Sequence, residues 1–207
     1  MTRRVVLIGG GEHAGVVAEV MRSLGDAVTV LGFLDPDPAA RVADLAHLGA
    51  DEALPSLGKP WAVLGFGAPG DVAARRSAVE AAAAHVEGWM TVVHRAAWVS
   101  PSAVIGAGAV ILPGAIVHTR ASVGAHAIVN SRSVIEHDVA LGDFVHVAPG
   151  AVIGGGAIVA AGAFVGLGAV VRDHTHIGEE AVVGMGAVVV SAVGAGRTVL
   201  GNPARPA

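Results

Sequence analysis

The chain of 207 residues contains no cysteine and no tyrosine, only three tryptophans and four phenylalanines, and its charged residues amount to just 14%. Without cysteine there are no disulfides, no thiolate metal sites and no cysteine nucleophile. Thirteen Lys and Arg against 17 Asp and Glu leave a formal net charge of −4, and no basic run occurs, which argues against a nucleic-acid partner. Long apolar runs are missing as well. Although 53% of the residues are hydrophobic and the mean hydropathy is +0.65, no uninterrupted apolar stretch of about 18 residues exists, so no membrane span is expected. At the N-terminus, Arg3 and Arg4 precede only Val5 to Ile8 before glycines begin. That run is too short for a signal peptide and reads as a first buried strand. A soluble cytoplasmic protein is the expectation.

What the chain has instead is a repeat. Ala97 to Ala192 divides into sixteen consecutive hexads without an insertion. The third residue of every hexad is a branched aliphatic, from Val99, Ile105 and Ile111 through to Val183 and Val189. The first residue is Ala in most hexads and otherwise Ser, Thr or Val, with Gly, Asn, Asp and Pro between the aliphatics. Period six fits neither a helix at 3.6 nor an open sheet alternating at two. It is the signature of a hexapeptide β-helix, in which short parallel strands wind into a coil. Three hexads make one triangular turn, so residues 18 apart stack on neighbouring rungs, roughly 4.8 Å apart as adjacent strands are. Sixteen hexads make about five turns, and the chemistry must sit on outward or corner positions. A smooth prism with few charges leaves edges and faces to cover, which points to a homo-oligomer.

Residues 1–95 follow a different grammar. Val5 to Ile8 forms a strand candidate ahead of Gly9-Gly10-Gly11, and apolar residues at helical spacing follow from His13 to about Leu24. Ala27 to Leu34, Trp61 to Phe66 and Met90 to Val93 are further strand candidates; Arg41 to His47 and Asp71 to Val86 are helix candidates. Strands alternating with helices imply a small parallel sheet. Gly9-x-Gly11-x-x-Ala14 after a strand, with Asp35 further on, matches the dinucleotide fingerprint loosely. Only half of a dinucleotide fold fits into about 95 residues, so a single nucleotide or nucleotide-sugar is the expected ligand. A Gly-rich turn that merely joins strand to helix is the alternative.

Within the coil, one stretch concentrates polar chemistry, Asn130-Ser131-Arg132-Ser133 followed by Glu136-His137-Asp138. Asp138 could orient the His137 imidazole and raise its basicity. One rung above His137 stands Gly155, inside Gly154-Gly155-Gly156. Glycine there removes a side chain that would crowd the imidazole and offers a bare N–H to an oxyanion. The other hexad histidines are His118, His126, His146, His174 and His176.

The Asn130–Asp138 stretch, Gly142-Asp143-Phe144-Val145-His146-Val147, Gly9-Gly10-Gly11-Glu12-His13 and Phe33-Leu34-Asp35 together resemble the hexapeptide-repeat nucleotide-sugar acetyltransferases. These are the sialic acid O-acetyltransferase and UDP- or GDP-4-amino-sugar N-acetyltransferase group. The resemblance covers essentially the whole chain, including the Gly-Asn-Pro-Ala ending at Gly201 to Ala204. It implies an α/β, Rossmann-like half domain over residues 1–95 that binds the nucleotide-sugar. It implies a left-handed parallel β-helix over 96–207 that carries acetyl transfer, and a homotrimer with acetyl-CoA between neighbouring coils. By matching positions it implies His137 as general base, Asp138 as its orienting acid, His146 beside the thioester and Gly155 as backbone donor. Leu167 and Met185 match the CoA groove and lie 18 apart, hence on adjacent rungs. Gly11, Glu12, His13, Asp35, Pro36 and Gly67 match the nucleotide-sugar pocket. Three departures stand out: Glu12 replaces a more usual small residue, Pro36 a second acid, and Gly67 to Asp71 is lengthened.

The reaction so implied is direct acetyl transfer from acetyl-CoA to the amino group of a nucleotide-linked amino sugar of the 4-amino-4,6-dideoxy type, with no metal. Its alternatives are O-acetylation of a sugar such as sialic acid, a carbonic-anhydrase-like zinc hydratase using His118, His137 and His146, and a non-catalytic nucleotide-sugar sensor.

Overall fold

The structure, a computed structural model, describes residues 2–70 and 72–207 and separates into two compact units, Met1–His94 and Arg95–Ala207. In the first unit a four-stranded parallel sheet is built from β1 (Arg3–Ile8), β2 (Val28–Leu34), β3 (Trp61–Leu64) and β4 (Gly88–Trp89), in the order β2-β1-β3-β4. β1 is flanked on both sides, and Val5, Val6, Leu7 and Ile8 are all buried, which is why the sequence shows a continuous apolar run there rather than alternation. Helix α1 (Glu12–Ser23) buries Ala14, Val17, Ala18, Val20 and Met21, while Val16 faces outward. Helix α2 spans Val72–Ala82; Asp71, its expected first residue, lies outside the described residues.

The expected helix over Arg41 to His47 does not form. The segment bends back beside β2 instead, where the Phe33 N–H donates to the Ala46 carbonyl at 2.9 Å, the Leu48 N–H donates to the Phe33 carbonyl at 2.9 Å, and the His47 ring stacks on Phe33 at 4.8 Å. A register shift in β2 accompanies this, and Gly32 sits there at φ +149°, against the returning segment at Ala46 and Leu48. A 3₁₀ helix, Asp51–Leu57, follows.

The second unit is a parallel β-solenoid. All sixteen hexads contribute a two-residue strand made of their second and third residues, from Trp98–Val99 to Val188–Val189. Every pairing among them is offset by eighteen, as in Val104↔Ser122, Ile116↔Val134 and Ile128↔His146. The strands stack into three faces. The first holds Val104–Ile105 and its stack, the second Trp98–Val99 and its stack, and the third Val110–Ile111 and its stack. From Ile111 to Val189 the third-position aliphatics are buried, together with first-position Ala, Ser, Thr and Val. Ser133, the first residue of the His137 hexad, is fully buried and satisfied because its Oγ donates to the Asn130 carbonyl at 2.6 Å. Beyond Val189 the offset falls to sixteen, with Ile177↔Val193 and Val182↔Thr198, so a shortened rung adds to the expected five turns. Arg205–Pro206 then turns back antiparallel on Thr198–Leu200.

The corners explain where glycine collects. From Gly108 to Gly186 the sixth residue of every hexad has positive φ. Seven of these fourteen are glycine, which meets that conformation without a Cβ penalty; the other seven are Arg120, His126, Arg132, Asp138, Phe144, His174 and Glu180.

Candidate functional site

One corner joins the second face to the first and carries Thr119-Arg120, His137-Asp138, Gly155-Gly156 and Asp173-His174 on successive rungs. Backbone bonds fix that stack, since the N–H groups of Asp138, Gly156 and His174 donate to the carbonyls of Thr119, His137 and Gly155 at 3.1, 2.9 and 2.9 Å. His137 Nδ1 lies 2.8 Å from Asp138 Oδ2. The Arg120 fork closes on the same carboxylate, Nε donating to Oδ1 at 2.7 Å and Nη2 to Oδ2 at 2.8 Å. Arg120, and after it His137, hold the Asp138 carboxyl well below the usual carboxylate range. An ionised carboxylate only accepts hydrogen bonds, so His137 donates from Nδ1, which leaves Nε2 as the ring nitrogen turned toward Gly155.

Above the imidazole, a Cβ added to Gly155 would fall 2.7 Å from both Cε1 and Nε2 of His137. The glycine is therefore the condition for that ring position. His174 folds over Gly156 in the same way. The Gly155 N–H takes no part in the backbone bonding of the coil among the described residues.

The remaining candidates of the coil stand elsewhere. His146 lies in a strand of the third face, with Nε2 3.2 Å from Asn130 Nδ2 and its ring edge-on to Phe164 at 5.1 Å. A single chain does not bring it to the His137 corner. Leu167 and Met185 occupy the corner between the third and second faces, are 52% and 78% exposed, and are tied together by the Gly186 N–H donating to the Leu167 carbonyl at 2.8 Å. His118 packs edge-on to Trp98 at 5.1 Å. Among the described residues no group of three or more His, Cys, Asp or Glu is arranged to hold a metal ion.

The first unit has its own cavity, about 590 Å³, at the C-terminal ends of β1 and β2 and the N-terminal end of α1. Gly11, Asp35 and Pro36 line it, while Glu12, His13 and Gly67 do not. Asp35 shapes the glycine loop: its Oδ2 accepts the Gly10 N–H at 2.7 Å and its Oδ1 the Asp37 N–H at 2.8 Å. Both carboxylate oxygens thus already serve the backbone. Glu12 is exposed at the first position of α1, and His13 is half-buried, with its pKa lowered to about 4 by burial and then by Arg75. Sequence patterns did not single out Asp51, Phe66 or the Ala74, Ser77, Ala78 and Ala81 face of α2, which complete the cavity wall. Asp51, Phe66 and this helix face come from separate segments with no period common to all three. Arg120 was also missed, yet it stands one coil turn before Asp138, the same spacing that places Gly155 over His137.

An α/β unit with a glycine loop over a cavity, and a hexapeptide solenoid with a His–Asp pair at one corner, define a two-unit hexapeptide-repeat protein. Residues 4–82 match the family model described as the PglD N-terminal domain. The chain shares 34% identity with perosamine N-acetyltransferase from Caulobacter crescentus, solved as a histidine-to-asparagine variant in complex with CoA and GDP-perosamine. That match covers 98% of this chain and 96% of that one, with a TM-score of 0.92. With the acetyltransferase domain of PglB from Neisseria gonorrhoeae, in complex with acetyl coenzyme A, identity is again 34%, over 100% of both chains, at a TM-score of 0.93. WeeI from Acinetobacter baumannii, 24% identical at a TM-score of 0.90, supports the fold alone. No curated protein matches the chain by sequence. The chain belongs to the hexapeptide-repeat nucleotide-sugar acetyltransferase family.

Proposed function

We propose that this protein is an acetyl-CoA-dependent N-acetyltransferase acting on the amino group of a nucleotide-linked amino sugar of the 4-amino-4,6-dideoxy type. The observation that carries the reading is the His137 imidazole, oriented by Asp138 at 2.8 Å, with Nε2 facing the space that Gly155 leaves open. Full-length likeness to enzymes solved with CoA and GDP-perosamine or with acetyl coenzyme A supports it.

In this mechanism the sugar amine attacks the thioester carbonyl carbon while His137 Nε2 accepts the departing N–H proton, a contribution of roughly 10²–10⁴-fold. Asp138 stabilises the imidazolium that forms. The Gly155 N–H donates to the oxyanion of the tetrahedral intermediate. When the C–S bond breaks, the sulfur takes the proton from Nε2 and CoA leaves as a thiol. In the assembled trimer His146 stands beside the thioester at a neighbouring chain's His137 corner, and Leu167 and Met185 line the pantetheine arm. In the first unit the cavity lined by Gly11, Asp35 and Pro36 binds the nucleotide-sugar, and Glu12, His13 and Gly67 border it in the chain, next to Gly11 and Phe66.

The assembly in this reading is a homotrimer of left-handed coils in the cytoplasm, where acetyl-CoA is supplied. Support comes from the second face, whose outward column is Trp98, Ile116, Val134, Val152, Val170 and Val188, with Trp98 49% and Val170 42% exposed. An apolar stripe of this length calls for a partner. No helix among the described residues is long and apolar enough to cross a membrane. The functional reading is tested by thiol release from acetyl-CoA against a panel of UDP-, GDP- and dTDP-linked amino sugars. Turnover with one of them is expected; thiol release only with sugars that lack an amine would overturn N-acetylation.

A further inference from the structure

We propose that Arg120 is a positioning residue for acetyl transfer, clamping Asp138 so that the His137 tautomer and ring plane are fixed. The inference rests on the reading of His137 as the base.

Three observations carry it. First, the clamp is bidentate, with Arg120 Nε to Asp138 Oδ1 at 2.7 Å and Nη2 to Oδ2 at 2.8 Å. Oδ2 also receives His137 Nδ1 at 2.8 Å, so one oxygen joins guanidinium to imidazole. A fork of this kind fixes the carboxylate plane, which a point charge such as Lys does not. Second, the contact comes from the neighbouring rung rather than from a flexible loop. The Arg120 backbone is held there by its N–H donating to Ser102 Oγ at 3.1 Å, and Asp138 is held by its N–H on the Thr119 carbonyl at 3.1 Å. Third, Arg120 at φ +57° and Asp138 at φ +61° both occupy the left-handed corner position that glycine fills at Gly114, Gly150, Gly168 and Gly186. Side chains are retained there against a conformational cost.

The side chains of the pair are exposed, 64% for Arg120 and 41% for Asp138, so the ion pair adds little to folding stability. A role in orienting the carboxylate needs no such contribution. Arg120 touches neither the imidazole's free nitrogen nor the space over Gly155; it acts through Asp138.

Arg120→Gly separates the two roles, because glycine is at ease in this corner. Its kcat for acetyl transfer is expected to fall about 10- to 100-fold, with both KM values within twofold and the thermal midpoint no lower than that of the parent protein. Added guanidinium at sub-denaturing concentration is expected to restore kcat several-fold in Arg120→Gly and not in His137→Ala, and Arg120→Lys to fall between parent and glycine variant. If Arg120→Gly turns over within twofold of the parent while His137→Ala is inactive, the positioning role is wrong and the base stands. If guanidinium gives no recovery in a slow Arg120→Gly enzyme, the clamp is likewise rejected. An active His137→Ala instead removes the base reading itself.

Discussion

The corner that bears His137 and the corner that bears Leu167 and Met185 rise along the same coil with the same hydrogen bonds between rungs and the same left-handed sixth residue. At the second of these, the sixth residues are Gly114, Arg132, Gly150, Gly168 and Gly186, so the backbone meets little strain. At the first they are Arg120, Asp138, Gly156 and His174. Each non-glycine residue in that conformation costs of order 1–3 kcal/mol. The one glycine pair in the stack, Gly155-Gly156, is where His137 and His174 need the room. The same scaffold thus spends glycine for turn geometry at one corner and for side-chain space at the other. Polar side chains are placed on this solenoid by substituting corner residues, without any loop or insertion.

The contrast breaks first at Gly155. Its Cβ would overlap the imidazole of His137 without a positive φ to strain the backbone, so Gly155→Ala is expected to lower kcat by at least about 10²-fold while melting near the parent protein. A Gly155→Ala enzyme of normal kcat would show that the imidazole is free to move aside. Next in size is an effect of the first unit, which the coil should not feel. His13 titrates at about 4 in the folded protein against 6.5 when exposed. Between those values the unfolded chain binds the extra proton, so stability is full above about 6.5 and declines as pH falls toward 4, by roughly 2–3 kcal/mol. Hydrogen exchange of α1 peptides, compared between parent and His13→Gln, should show that pH dependence shrink in the variant; equal slopes would mean that His13 is not the group responsible. Smallest is Gly150→Ala at the quieter corner, where a Cβ meets nothing within 4 Å but φ is +70°. It should cost about 1 kcal/mol of stability with kcat unchanged, the mirror image of Gly155→Ala.

Much of this molecule is legible in its sequence because a solenoid turns periodicity directly into position. Sixteen branched aliphatics at period six correspond to sixteen strands, and a spacing of eighteen puts Gly155 over His137. Arg120 obeys the same ruler one turn below Asp138, yet a single arginine among outward residues announces nothing until its fork is seen on the carboxylate. The first unit offers no such ruler. Its cavity gathers Asp51, Phe66 and one face of α2 from separate segments. The apparent helix at Arg41 to His47 gave way to contacts with β2, since hydrogen bonds to Phe33 and stacking of His47 outweigh a weak local preference. Asp35, the acid that completes the loose dinucleotide fingerprint, has both oxygens engaged by the backbone N–H groups of Gly10 and Asp37.

The central claim is that the His137 corner performs acetyl transfer by general base catalysis. It is tested most directly by the rate of acetyl transfer in His137→Ala, measured with the nucleotide amino sugar that the parent protein turns over and with binding of acetyl-CoA followed in parallel. A fall in kcat of roughly 10²–10⁴-fold with acetyl-CoA affinity retained is the predicted result. Turnover near that of the parent protein would contradict it.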